Sequence, residues 1–290
     1  MSEPRWFMEL CSLFSDPRLD EVLVNSTLSL LLTSAEFGMQ VRVSPFAERG
    51  EMGLALQEFA LGEGVRLDHL CPAAGGVVGG GAFRWHGLLP PAAASGPLLS
   101  VRRHRFGEIT IQRFLVSATH EALLREQCVA GKPLVIIGST GCGKTTLLAA
   151  ILKEYALNER VIILEELAEL PLCSPSWLRL LAKEENIDGK GQLTIVRLFK
   201  DSLRLRPERF VFGELQRGQV GCFIESIWSG HGGSAATFHG ASLADAMRRF
   251  AGLLRQETGI ASGEVGIEVL AVVLERGNPP RISDVCLHKI

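Results

Sequence analysis

The chain lacks a surplus of either charge, paired cysteines and any long apolar run, and each absence excludes something. Its 30 Lys+Arg and 32 Asp+Glu leave a formal net charge of −2, so no overall basic field points to nucleic acid. The seven cysteines (Cys11, Cys71, Cys128, Cys142, Cys173, Cys222 and Cys286) are scattered, odd in number and never spaced C-x-x-C. That argues against a disulfide framework or a zinc site and for a reducing, cytoplasmic setting. No apolar stretch approaches the roughly 18 residues of a membrane span, so any membrane association is expected to be peripheral. The start, Met1 to Trp6, lacks a basic segment followed by an apolar run, so no signal peptide is expected.

What is present is a globular chain of 290 residues, 47% hydrophobic, enough for one large core or two smaller ones. Its organising stretch is Pro133 to Leu148, P-L-V-I-I-G-S-T-G-C-G-K-T-T-L-L. Leu134 to Ile137 suit a buried strand, and the apolar run after the glycines suits a helix. Gly138, Gly143, Lys144 and Thr145 fill the pattern G-x-x-x-x-G-K-[ST]. Such a loop turns backbone N–H groups toward an anion at a helix N-terminus, where the dipole favours negative charge. The expected binding residues are Ser139, Thr140, Gly141, Cys142, Gly143, Lys144, Thr145 and Thr146. Lys144 would reach the β- and γ-phosphates of ATP, and Thr145 would ligate Mg²⁺. Cys142 reads as a small tolerated side chain rather than a redox switch, since no resolving cysteine is apparent.

The first hundred residues differ in character from the rest. An acidic turn leads into a short strand near Asn25, Val41 to Val43 alternates like a strand, and Met52 to Leu61 has helical spacing with Leu54, Leu56, Phe59 and Ala60 as its apolar set. Gly75 to Ala82 reads as a flexible hairpin loop. Strands are expected at Phe83 to Leu89 and Leu98 to Val101, the latter running into Arg102-Arg103-His104-Arg105. This is a small α+β domain, 1–107, with a linker at 108–116. Residues 117–290 alternate strand and helix: helix 117–129, strand, phosphate loop, helix 144–155, strand 161–164, helix 193–204, strand 209–212, helix 220–228, strand 235–238 and helix 243–254. The end, 267–288, reads as a β-hairpin. Such alternation argues for α/β architecture with a mostly parallel sheet.

Hydrolysis also needs a carboxylate to orient or deprotonate water, usually just after a second apolar strand. Glu214, at the end of Arg209 to Phe212, is the candidate general base, with Gly213 where an aspartate is usual. Glu165, Glu166 and Glu169 form a second acidic group, and an adjacent strand could bring Glu165 near Mg²⁺ or the attacking water. Glu165 and Glu214 would thus touch the metal through water. His231 and His239 flank a glycine-rich loop and a strand, and a histidine beside a triphosphate can hydrogen-bond its γ-phosphate.

In this order the features resemble the secretion ATPase superfamily, which drives type II and type IV secretion and type IV pilus assembly. Gly138 to Thr145 matches its Walker A loop. V-I-I-L-E-E-L-A-E-L (161–170) is similar to its acidic box, usually I-E-D-T-x-E-L. L-R-L-R-P-E-R-F-V-F-G-E (203–214) is similar to its Walker B strand, in which glycine before the glutamate is normal. S-G-H-G-G-S-A-A-T-F-H-G (229–240) resembles its histidine box. The N-terminal half most resembles ATPases of tight-adherence (Tad, or CpaF-type) pili, through D-P-R-L-D-E-V-L-V-N (16–25), F-R-W-H-G-L-L-P-P (83–91) and G-P-L-L-S-V-R-R (96–103). Two departures stand out. Glu166-Leu167 replaces the usual Asp-Thr, and Leu-Gln-Arg217-Gly replaces Val-Arg-Gly-Gly, displacing the arginine by one position.

The resemblance implies a RecA-like P-loop ATPase domain behind the smaller α+β domain, with nucleotide between the two. It implies a homo-hexamer that hydrolyses ATP with Mg²⁺ and works on an inner-membrane platform protein of a pilus or secretion machine, from the cytoplasmic side. Arg84 and Arg102 become candidate catalytic arginines facing the phosphates, with Arg204 and Arg206 as lesser ones. A weakly catalytic structural ring and a nucleic-acid translocase are the alternative readings, although nucleic acid is not expected.

Overall fold

The computed structural model describes residues 5–25, 29–34, 36–43, 46, 49–104, 110–114, 116–183, 190–261, 263–277 and 279–290. Arg105 of the basic cluster, 106–107 at the end of the expected first domain, and 108, 109 and 115 of the expected linker lie outside them. The chain forms two compact units, Met1–Arg105 and Phe106–Ile290.

The first unit contains α1 (Arg5–Ser12), β1 (Glu21–Asn25), β2 (Ser29–Ser34), β3 (Gly38–Arg42), α2 (Arg49–Gly62), β4 (Ala73–Val78), β5 (Phe83–Leu88) and β6 (Leu98–Arg103). The strands make one six-stranded antiparallel sheet in the order β3-β2-β1-β6-β5-β4. Alternation sends Val22, Val24, Leu30, Leu32, Leu99 and Val101 into one core with Phe7 and Leu10 of α1 and Met52, Leu56 and Phe59 of α2. Helix α1 was not legible in the sequence. In α2 the buried set is Met52, Leu56, Phe59 and Ala60, at i, i+4, i+7 and i+8, whereas Leu54, expected inside, is 64% exposed.

The first half of the glycine run is strand and the second half is the hairpin turn. Gly75 and Gly76 pair with His86 and Trp85 within the sheet, and only Gly79–Gly81 make the turn. A Cβ at Gly75 would lie 2.9 Å from His86 Nδ1, and one at Gly76 3.0 Å from Trp85 Nε1. Glycine here admits neighbouring rings rather than supplying flexibility. The opening motif is a turn: the Asp16 carboxylate accepts from Arg18 N, Nε and Nη2, while Arg103 donates to the carbonyls of Asp16 and Pro17. This ties the approach to β1 to the end of β6.

The second unit contains α3 (Ala118–Val129), β7 (Leu134–Gly138), α4 (Lys144–Tyr155), β8 (Val161–Glu165), β9 (Leu178–Leu181), α5 (Ile195–Ser202), β10 (Arg209–Phe212), α6 (Val220–Trp228), β11 (Ala235–His239), α7 (Leu243–Thr258), β12 (Glu268–Glu275) and β13 (Arg281–Lys289). Helices start where a hydroxyl is available: Ser117, Thr194 and Ser242 each accept the N–H three residues on, and Gly259 at φ +77° ends α7. Ile111 and Phe114, within the expected linker, are buried in the core beside α4. That segment is part of the unit rather than a tether.

The seven strands run β13-β12-β7-β11-β10-β8-β9, parallel except for β13 at the edge. β7 and β8 are buried on both faces. Leu134 and Ile136 enter one core, Val135 and Ile137 the other. Each such side chain contributes about 1.5–3 kcal/mol on burial, which explains the unbroken apolar runs. Four neighbouring parallel strands, β7, β11, β10 and β8, therefore present their C-terminal ends along one edge of the sheet, where open α/β sheets bind ligands.

Candidate functional site

The phosphate loop leaves β7 at that edge. Gly141 and Gly143 adopt φ +75° and +100°, a conformation that glycine tolerates and L side chains avoid. Ser139, Thr140 and Gly141 are exposed, so their backbone is accessible. Cys142 faces inward and is 2% exposed. A Cβ at Gly138 would meet its sulfur and the Leu274 carbonyl, each at 2.6 Å. Burial raises the pKa of the Cys142 thiol, so it stays protonated and packs. Lys144 Nζ donates to the carbonyls of Gly138 and Ser139, at 3.1 Å each, folding over the loop it serves. Thr145 and Thr146 open α4 and are half-buried. Exposed backbone N–H groups, a lysine and a helix N-terminus fit a triphosphate, and the Thr145 hydroxyl fits Mg²⁺.

Two further candidates share this edge. His239 ends β11 in register with Gly138, and its side chain is exposed. Its carbonyl accepts from Arg249 at 2.8 Å. Glu214 follows β10 and is also exposed. The backbone around it is held from both sides: Gly213 N donates to Leu164 O of β8, Leu215 N to Thr237 O of β11, and Thr237 Oγ1 to Gly213 O.

Glu165 is at the edge too, but it is not presented there. It is 4% exposed. One carboxylate oxygen accepts from Glu169 N and Leu170 N at 3.1 and 2.9 Å, and the other pairs with Arg179 Nε at 3.0 Å. A Cβ at Gly213 would lie 2.9 Å from Glu165 Cγ, which gives a packing reason for glycine at that position. Burial raises the Glu165 pKa, opposed by those N–H groups and by the Arg179 charge. Glu166 is exposed and reaches Gln216 at 3.3 Å and Gln219 at 3.5 Å. The two departures from the resembled pattern, at 166 and 216, thus fall on residues in contact. Arg179 and β9 were missed in the sequence because Leu178–Leu181 is too short to show a period.

The remaining candidates go elsewhere. His231 precedes β11, so it lies at the opposite, N-terminal edge of the parallel sheet. The five residues of β11 alone put about 16 Å of strand between the two edges, and this corrects the expectation that both histidines flank the phosphates of one chain. The His231 ring packs edge-on to Phe210 at 5.0 Å, and burial lowers its pKa. Arg204 and Arg206 precede β10 and lie at that same far edge, which likewise removes them from the phosphate loop of their own chain. Arg209, also there, holds Glu159 with a bidentate pair at 2.6 and 2.9 Å and donates to the Gly233 carbonyl. A Cβ at Gly233 would meet its guanidinium at 2.7 Å. Gly233, two residues beyond His231, thus accommodates an arginine. In the first unit, Arg84 and Arg102 are direct cross-strand partners on β5 and β6, on the sheet face turned away from its core.

The chain is similar to known proteins over most of its length. A Mycobacterium tuberculosis (strain ATCC 25618 / H37Rv) protein named for conjugal transfer is 34% identical over 203 residues, taking in 67% of this chain and 58% of that relative. The chain thus spans less than two thirds of that relative's length. The conjugal transfer protein TrbB of Rhizobium radiobacter is 29% identical over 92% of this chain and 80% of its own. Among solved structures, the Legionella pneumophila ATPase DotB superposes with a TM-score of 0.64 at 15% identity, over 94% of this chain and 77% of that one. The pilus retraction motor PilT follows at 0.60 and 12%, over 92% and 78%. These likenesses show the fold, a RecA-like α/β core behind a smaller α+β unit. Residues 89–276 match the family described as type II/IV secretion system protein, and to that family the chain belongs.

Proposed function

We infer that the protein hydrolyses ATP with Mg²⁺ to power a type II/IV-class secretion, conjugation or pilus machine. The observation that carries this reading is the alignment of the Walker A loop, His239 and Glu214 at the C-terminal ends of three neighbouring strands. Bound Mg²⁺ would supply charge neutralisation on the phosphates, and Thr145 would hold it. The loop N–H groups and Lys144 bind and orient the β- and γ-phosphates. Glu214, exposed and fixed by its backbone, orients and deprotonates the attacking water. His239 hydrogen-bonds the terminal phosphate, and Arg84 with Arg102 add an anion-seeking pair on the first unit.

By family membership we read the assembly as a homo-hexamer at the inner membrane, working on a platform protein from the cytoplasmic face. No helix among the described residues is long and apolar enough to cross a membrane. The N-terminal motifs favour the tight-adherence pilus branch, while two of the relatives reported above are named for conjugal transfer. Purified protein with ATP and Mg²⁺ tests the reading. Turnover should fall at least about a hundredfold in Glu214→Gln with ATP binding retained, and binding itself should be lost in Lys144→Ala. Wild-type protein with no turnover above background, or Glu214→Gln with normal turnover, overturns it.

A further inference from the structure

We propose that Arg179 is a positioning residue, and that with Glu165 it forms a clasp that sets the Gly213–Glu214 backbone, so that Glu165 serves the site by holding rather than by touching water or metal. The inference rests on the ATPase reading only for its effect on turnover.

The argument starts from strand order. β8 stands third from β7 in the sheet and β10 second, so at about 4.8 Å per strand Glu165 lies ~14 Å across from the phosphate loop and Glu214 ~10 Å. Both carboxylate oxygens of Glu165 are also engaged within the protein. Two backbone N–H groups of the 165–170 turn occupy one oxygen, and Arg179 occupies the other. The same guanidinium reaches on to the Leu170 carbonyl, closing the turn on itself. The Glu165 Cγ methylene fills the space above Gly213, and Gly213 N donates to the carbonyl of Leu164, one residue before Glu165. Arg179 comes from β9, whose pairing with β8 puts it in register with Ile163. With three donors on its two oxygens and 4% exposure, this carboxylate bonds chiefly within the protein. What it can do is transmit the position of β9 and the acidic turn to the residue before Glu214. Glu166 continues the contact by reaching Gln216 beyond it.

A double-mutant cycle separates holding from direct chemistry. Glu165→Gln and Arg179→Gln should each lower kcat about tenfold, with KM for ATP within about twofold, and the double variant should fall no further than the worse single, as members of one network do. The acid limb of the kcat–pH profile should stay where wild type has it. The opposite pattern overturns the proposal: Glu165→Gln as inactive as Glu214→Gln, with Arg179 variants near wild type or strictly multiplicative losses. Arg179→Lys keeps the charge without the fork and serves if Arg179→Gln does not fold. Amide exchange reads the clasp without any turnover. In the Arg179 variant the N–H groups of Glu169, Leu170 and Gly213 should exchange about tenfold faster than in wild type, whereas the N–H groups of β7 should not change. Unchanged exchange at those three sites sinks the clasp even if the protein is an active ATPase, and absent wild-type turnover sinks the ATPase reading alone.

Discussion

The two edges of the seven-stranded sheet carry similar residue types and do different work. At the C-terminal edge the loops leave polar groups exposed: the phosphate loop, Glu214 and His239. At the N-terminal edge Arg209 and His231 are spent on neighbouring groups. Arg209 is 8% exposed and locked to Glu159 and Gly233, and His231 leans on Phe210. His231 and His239 belong to one motif, yet one strand separates them. In a parallel sheet, whether a residue stands before or after its strand decides which edge it serves. A motif that straddles a strand must therefore split its roles.

The comparison can be broken or sharpened by substitution, starting with the far edge. Arg209→Met should lower unfolding free energy by about 2 kcal/mol, because it strands Glu159, whose partial exposure tempers the loss. ATP affinity of the folded fraction should be kept; denaturant unfolding and nucleotide binding check this, and a variant as stable as wild type would remove the strut. Next come the histidines. His239→Ala should reduce turnover about tenfold, the worth of one charge-assisted hydrogen bond of ~1.4 kcal/mol, while His231→Ala should stay within about twofold. Reversal of that ranking in steady-state assays would mean that the far edge takes part in chemistry, as contact with a neighbouring subunit would allow. The smallest effect concerns Arg206, the only non-glycine with positive φ among the described residues, at +56°. Arg206→Gly should raise stability by about 0.5 kcal/mol, since relief of a left-handed conformation worth ~1–2 kcal/mol is offset by a more flexible unfolded chain. A loss in thermal melting would show that the arginine side chain, not its backbone, matters there.

Much of the fold was legible because the parallel strands are buried on both faces. Runs such as Leu134 to Ile137, Val161 to Leu164 and Arg209 to Phe212 fall within a residue of the observed strands. Legibility failed where the signal was short or ambiguous. β9 has four residues, too few for a period. The glycines at 75 and 76 carry the composition of a loop, and only the rings of Trp85 and His86 across the ladder explain them. Leu54 fits a helical apolar stripe by type, but the sheet lies on the Met52 and Leu56 side of α2.

For the candidate site, the sequence by itself determined the chemistry available. A phosphate loop requires glycines, a lysine and a hydroxyl at fixed spacing along one turn, so Gly138 to Thr145 are readable without coordinates. Tertiary structure alone decided which distant residues share its edge of the sheet, since that depends on strand order. β11 and β10, not β8, are the nearer neighbours of β7 on that side, which favours His239 and Glu214. It also decided that Glu165 is buried under Arg179, because a carboxylate three strands from the loop and packed on Gly213 has only the protein to bond with.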